Sequence, residues 1–110
     1  MSRHGAALAI AAALAFAAAP SPASADIAAG RAKAQMCTVC HGANGLAVTP
    51  NTPHLAGQPE PYLVEQLKAY RSGKRAHEVM AVIAKPLTDA EIGDLAAWFA
   101  SIAIEAKPPK

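Results

Sequence analysis

The chain has 110 residues, 53% of them hydrophobic, and a formal net charge of +2. That length bounds it to one domain and excludes a multi-domain enzyme with its own large substrate cleft. Beyond residue 25 there are 9 Lys+Arg against 8 Asp+Glu, a net of +1, which argues against nucleic acid as the main partner.

Half of the 58 hydrophobic residues are Ala, and 12 of those 29 Ala lie in residues 1–25. Arg3 and the free amine form a short positive region, and Ala6 to Ala19 is an unbroken apolar run of 14 residues. Pro20 and Pro22 break any helix there, and Ala23-Ser24-Ala25 places small residues where a signal peptidase reads. This is the pattern of a secretory leader cleaved after Ala25. The run is too short and too Ala-rich for a membrane anchor, which needs roughly 20 apolar residues. The expected domain is therefore residues 26–110, an exported, soluble, periplasmic chain of 85 residues with no stable membrane insertion. Only Tyr62, Tyr70, Trp98 and Phe99 remain as aromatics in it. A domain of this size is marginal and usually needs a disulfide, a metal or a large cofactor to complete its core.

Asp26 to Met36 reads as a short helix with Ile27, Gly30 and Ala34 on one face. Gly42 to Gln58 reads as loop, rich in Gly, Asn and Pro. Pro59 to Ser72 reads as a second helix with Leu63, Leu67 and Tyr70 on its apolar face and Gly73 as its stop. Gly73 to Pro86 is expected to be mostly irregular. Thr88 to about Ile104 reads as a third helix, opened by the capping box Thr88-Asp89-Ala90-Glu91. Its buried stripe is Ile92, Leu95, Ala96, Phe99 and Ile102, with Trp98 at the edge. No strand pattern and no repeat are visible.

Both cysteines fall in Cys37-Thr38-Val39-Cys40-His41. A thioredoxin-type redox disulfide needs a strand before the motif. Zinc needs a fourth ligand beyond two Cys and one His. Covalent haem attachment uses this spacing directly: two thiols two residues apart each add to a vinyl group of one porphyrin edge, and the next residue, His41, is carried under the iron. Met36, His54, His77 and Met80 are the candidates for a second axial ligand. Met36 is tethered on the His41 side of the ring. His54 sits in a Pro/Gly loop and reads as a surface side chain. His77 would give a bis-histidine centre of lower potential, whereas Met80 would raise the potential. Val79, Ala81, Val82 and Ile83 beside Met80 suit a buried thioether.

Cys37-Thr38-Val39-Cys40-His41-Gly42-Ala43-Asn44-Gly45 resembles the haem site of class I cytochromes c. Pro53-His54-Leu55-Ala56-Gly57-Gln58-Pro59, followed by Tyr62-Leu63 and Gln66-Leu67, is similar to the c4 and c553 branch. So is the segment from Leu87 to Ser101, and the resemblance covers nearly all of residues 26–110. It implies an all-α fold with three main helices and long loops wrapped around one covalently attached haem c. Cys37 and Cys40 would be the thioether anchors, His41 the proximal ligand and Met80, eight residues before Thr88, the distal one. The Pro53 carbonyl would accept a hydrogen bond from the His41 ring. Gly30 with Leu95 and Trp98 would form the crossing of the first and last helices. Leu55, Leu67, Tyr70, Val82, Leu95 and Trp98 are expected to line the haem pocket or pack beside it. Cytochromes c4 have two haem domains, whereas this chain has a single C-x-x-C-H.

The function implied is a single-electron carrier, free or as the cytochrome subunit of a redox enzyme, working as a monomer or weak dimer with redox partner proteins. Two rivals stay open. A ligand-binding or sensing haem protein would have a labile sixth ligand, and a thiol–disulfide oxidoreductase would have no haem. Lys68, Arg71, Lys74 and Arg75 form a basic cluster that is either a solvated helix end or a docking site.

Overall fold

The computed structural model describes residues 1, 10–19 and 24–110. Arg3, Ala6 to Ala9, Pro20, Pro22 and Ala23, on which much of the expected leader rests, lie outside the described residues. Residues 10–19 are exposed and carry no regular secondary structure. Among the described residues there are five α-helices and no strand. They are α1 (Ile27–Lys33), α2 (Thr38–His41), α3 (Glu60–Ser72), α4 (Glu78–Ala84) and α5 (Asp89–Ser101), with a 3-10 turn at Ala34–Cys37.

Asp26 starts α1 because its carboxylate accepts from the Ala28 and Ala29 amides at 2.9 and 3.1 Å, satisfying two otherwise orphaned donors. The helix expected over Asp26 to Met36 tightens at Ala34 into the 3-10 turn, which runs on directly into α2. Gly30 and Ala34 are buried as expected, but Ile27 is 48% exposed and does not share their face of the core. Pro61 at the second position of α3 sacrifices only an amide that lacks a helical partner anyway. Gly73 ends α3 in the left-handed conformation, at φ +84°.

The stretch expected to be irregular, Gly73 to Pro86, contains α4. His77 stands extended before it and its ring accepts the Met80 amide at 3.2 Å. α4 stops at Ala84: Lys85 keeps helical backbone and donates its amide to Ala81, but Pro86 has no amide to continue the ladder. The capping box of α5 is present in both directions: Glu91 N–H donates to Thr88 Oγ1 at 3.1 Å, and Thr88 N–H donates to Glu91 Oε2 at 2.9 Å. α5 ends at Ser101, earlier than the expected Ile104, with Ile102 extended beyond it.

α1 crosses α5, and α3 packs against both α4 and α5. At the first crossing a Cβ on Gly30 would collide with the Asp94 carbonyl oxygen and come within 3.0 Å of Trp98 Cβ. The residue without a side chain is what lets the two backbones touch. Lys33 on α1 pairs with Glu91 on α5 at 2.8 Å. Arg71 on α3 donates to the Leu87 carbonyl at 2.9 Å and to Asp89 at 2.6 Å, joining the end of α3 to the start of α5.

The core is built from Leu63, Leu87, Ile92, Leu95 and Phe99 with the small Ala34, Ala84 and Ala96 between them. Ile92 and Leu95 are its most deeply buried large side chains, and each burial of that size contributes about 1.5–3 kcal/mol. The core is thin, as the composition implies.

Candidate functional site

His41 closes α2 and is 8% exposed. Its Nδ1 lies 2.9 Å from the Pro53 carbonyl oxygen. A carbonyl can only accept, so the ring carries its proton at Nδ1, and Nε2 keeps a lone pair for a metal. The loop between them is folded to bring this about. Gly45, at φ +72°, takes both the Leu55 and the Ala56 amide on its carbonyl, at 2.7 and 3.1 Å. A Cβ there would lie 2.8 Å from the Ala56 nitrogen and 3.0 Å from Phe99 Cδ1. The Val48 amide donates to the Cys40 carbonyl at 3.0 Å, folding the loop back onto α2.

His54, expected as a surface side chain, is exposed but not idle. Its Nδ1 accepts the Ala47 amide at 2.8 Å, and the Gln58 side chain donates to its carbonyl at 3.2 Å. It pins the loop beside Pro53. Nothing in a single histidine within a Pro/Gly loop signals this, because the bond joins residues seven apart through an irregular backbone.

Cys37 and Cys40 are half-buried thiols with no disulfide between them. Burial pushes the Cys37 thiol above its ordinary range. A redox nucleophile needs the opposite shift, and no strand precedes the motif among the described residues. Among the described residues, too, no group of three or more His, Cys, Asp or Glu side chains is placed to hold a metal, which leaves zinc without a ligand set.

Met80 sits half-buried in the first turn of α4, with the exposed His77 capping that turn. The helix separates the apolar residues expected to wall the thioether. Ala81 and Ile83 are half-buried, whereas Val79 and Val82 face outward at 52% and 71% exposure. Leu55, Leu67, Tyr70 and Trp98 are half-buried at the margin of the core, and Leu95 lies within it. Trp98 stands at the α1–α5 crossing with the Arg31 guanidinium 5.5 Å from its ring centre.

A flat macrocycle fits these residues. The segments that carry the motif and Met80 leave Val39, Leu46, Val48, Val79 and Val82 exposed, apolar side chains available to pack on a cofactor. The free Nε2 of His41 and the neighbouring thiols complete the donor set for a covalently held iron porphyrin.

Comparison with known proteins agrees. Residues 27–103 match the family model described as Cytochrome c. The chain belongs to the cytochrome c family. As such its cofactor is one covalently attached haem c, and its fold is that of class I cytochromes c. It is 47% identical over 79 residues to cytochrome c4 of Pseudomonas aeruginosa, covering 72% of this chain and 39% of that protein. It is 40% identical to cytochrome c-554(548) of Halomonas halodenitrificans, covering 69% of this chain and 95% of that one. A thiosulfate dehydrogenase electron acceptor of Thiomonas intermedia is 39% identical over 78% of this chain and 40% of its own length. The structure of reduced cytochrome c4 from Pseudomonas stutzeri superposes with a TM-score of 0.68 at 36% identity, over 73% of this chain and 47% of that one. The chain thus spans about two fifths of the c4 relative from P. aeruginosa and nearly all of the c-554(548) relative.

In this cytochrome c two of the four cations of the basic cluster, Arg71 and Arg75, are engaged within the molecule. Arg71 clamps α5, and Arg75 donates to Gln66 at 2.6 Å while its guanidinium lies 4.6 Å from the Tyr70 ring centre. The Arg71 hydrogen bond, and then the nearby Lys68 charge, hold the Asp89 carboxyl below its ordinary range. Glu65 and Gln66 line the same shallow groove as the cations.

Proposed function

We propose that this protein is a periplasmic single-electron carrier, with Cys37 and Cys40 as the thioether anchors and His41 and Met80 as axial ligands. Bound there, haem c supplies a one-electron ferric/ferrous couple. The observation that carries the reading is the 2.9 Å contact of His41 Nδ1 with the Pro53 carbonyl, directly after the two cysteines. That hydrogen bond fixes the ring, presents Nε2 and strengthens it as a donor. A thioether opposite raises the potential. With both axial positions filled by the chain, no site is left for a substrate, and the protein's work is tuning and docking.

Export belongs to the same proposal: the leader is cleaved after Ala25, leaving the cytochrome domain at 26–110. No helix among the described residues is long and apolar enough to cross a membrane. The partner class is a redox protein. One relative is named as an electron acceptor of thiosulfate dehydrogenase, and a dehydrogenase or reductase of that general kind is the partner proposed here.

The test is the intact mass and visible spectrum of periplasmic material. The expected result is residues 26–110 plus one haem, low-spin, with a methionine–iron charge-transfer band in the ferric form. That band is expected to vanish in Met80→Ala and to persist in His77→Ala. The reverse pattern removes Met80 as the ligand. Carbon monoxide binding by the reduced wild type at neutral pH supports a ligand-binding haem protein instead.

A further inference from the structure

We propose that His77 is a positioning residue for the distal ligand: its ring caps α4 through the amide of Met80 itself and so holds the thioether in place. The proposal rests on the assignment of Met80 made above.

α4 has seven residues, too few to be stable without help. Its orphaned first-turn amides are where it would fray, and the third of those belongs to Met80. His77 Nδ1 accepts this amide at 3.2 Å. Asn, Asp, Ser and Thr are the usual caps; an imidazole does this work only if its ring is held at the right angle. The structure supplies the hold. The ring meets Tyr70 edge-on, with centroids 6.2 Å apart and planes at 74°. Arg75 covers Tyr70 at 4.6 Å, and its own backbone amide donates to the Ala69 carbonyl at 3.1 Å. Its side chain reaches Gln66 at 2.6 Å. A chain of contacts thus runs from Gln66 through Arg75 to the Tyr70 ring on α3, and from that ring through His77 to the backbone of Met80.

The consequence is local. Releasing the thioether from iron requires the first turn of α4 to move, and the cap opposes that motion. Loss of a cap of this kind shifts the equilibrium by about fivefold. His77 therefore governs how readily an outside ligand displaces Met80, while leaving the ligated spectrum itself unchanged.

The test uses the ferric holoprotein and imidazole as competitor, following the charge-transfer band. His77→Ala is expected to keep the band without imidazole and to lose it at about fivefold lower imidazole than wild type. His77→Asn, whose side chain can also cap, is expected to restore the wild-type midpoint. Arg75→Ala is expected to shift it in the same direction by less. Hydrogen exchange of the Met80 amide should accelerate in His77→Ala. Thr88→Ala, which removes the cap of α5, is expected to leave the imidazole midpoint where it was. An unchanged midpoint in His77→Ala, failure of His77→Asn to rescue, or an equal shift in Thr88→Ala overturns the proposal. A band that survives Met80→Ala overturns the ligand assignment instead, which keeps the two failures distinct.

Discussion

Gly30 shows how one residue can reverse a general rule. Replacing a helical glycine by alanine ordinarily stabilises by roughly 0.5–1 kcal/mol. Here the added methyl would meet the Asp94 carbonyl and Trp98 Cβ. Gly30→Ala is therefore expected to destabilise the holoprotein by about 1–3 kcal/mol, read as a lower urea midpoint in the far-ultraviolet helix signal. The site is legible to a similar degree at this scale. The Cys37-x-x-Cys40-His41 spacing, and the Pro53 partner implied by the family resemblance, need only local sequence. The binding roles of His54 and His77 were not legible. Each depends on a ring nitrogen meeting a backbone amide whose position is set by the turn, not by composition.

At the scale of elements, legibility followed the strength of local signals. α3 and α5 have long apolar faces, a Gly stop and a capping box, and both were placed within a few residues. α4 has seven residues, almost no periodicity over so short a span, and an unusual cap, so it read as loop. Its helicity is what turns Val79 and Val82 outward. The start of α5 also carries a pH dependence. The Lys33 hydrogen bond, followed by the Thr88 amide, holds the Glu91 carboxyl below its ordinary range. A carboxyl lowered on folding contributes stability that is present above its unfolded value and is lost as pH falls through the folded one. Melting temperature is therefore expected to fall between about pH 5 and 3, and to fall less steeply in Glu91→Gln. An equal slope in the variant would show that Glu91 has no part in the acid response.

Over the whole molecule, three of the alanines have a clear packing role. Ala34, Ala84 and Ala96 allow short helices to approach closely, and the cofactor supplies the bulk that the side chains do not. The basic cluster changes meaning at this scale as well. In sequence it is four like charges on one segment; in the fold Arg71 is a strut between α3 and α5, and Arg75 belongs to the support of α4.

The hydrogen bond from the Asp26 amide to Asp94 Oδ1, at 2.7 Å, acquires a different chemistry once the chain is processed as proposed. Cleavage after Ala25 converts that amide into an α-ammonium group. A neutral donor becomes a cation already facing a carboxylate, so maturation itself forges an ion pair between the new chain end and the last helix. Such a partly exposed pair contributes up to about 1 kcal/mol. Asp94→Asn should therefore lower the stability of the processed protein more than that of a form carrying a residue ahead of Asp26, as urea midpoints of the two forms would reveal.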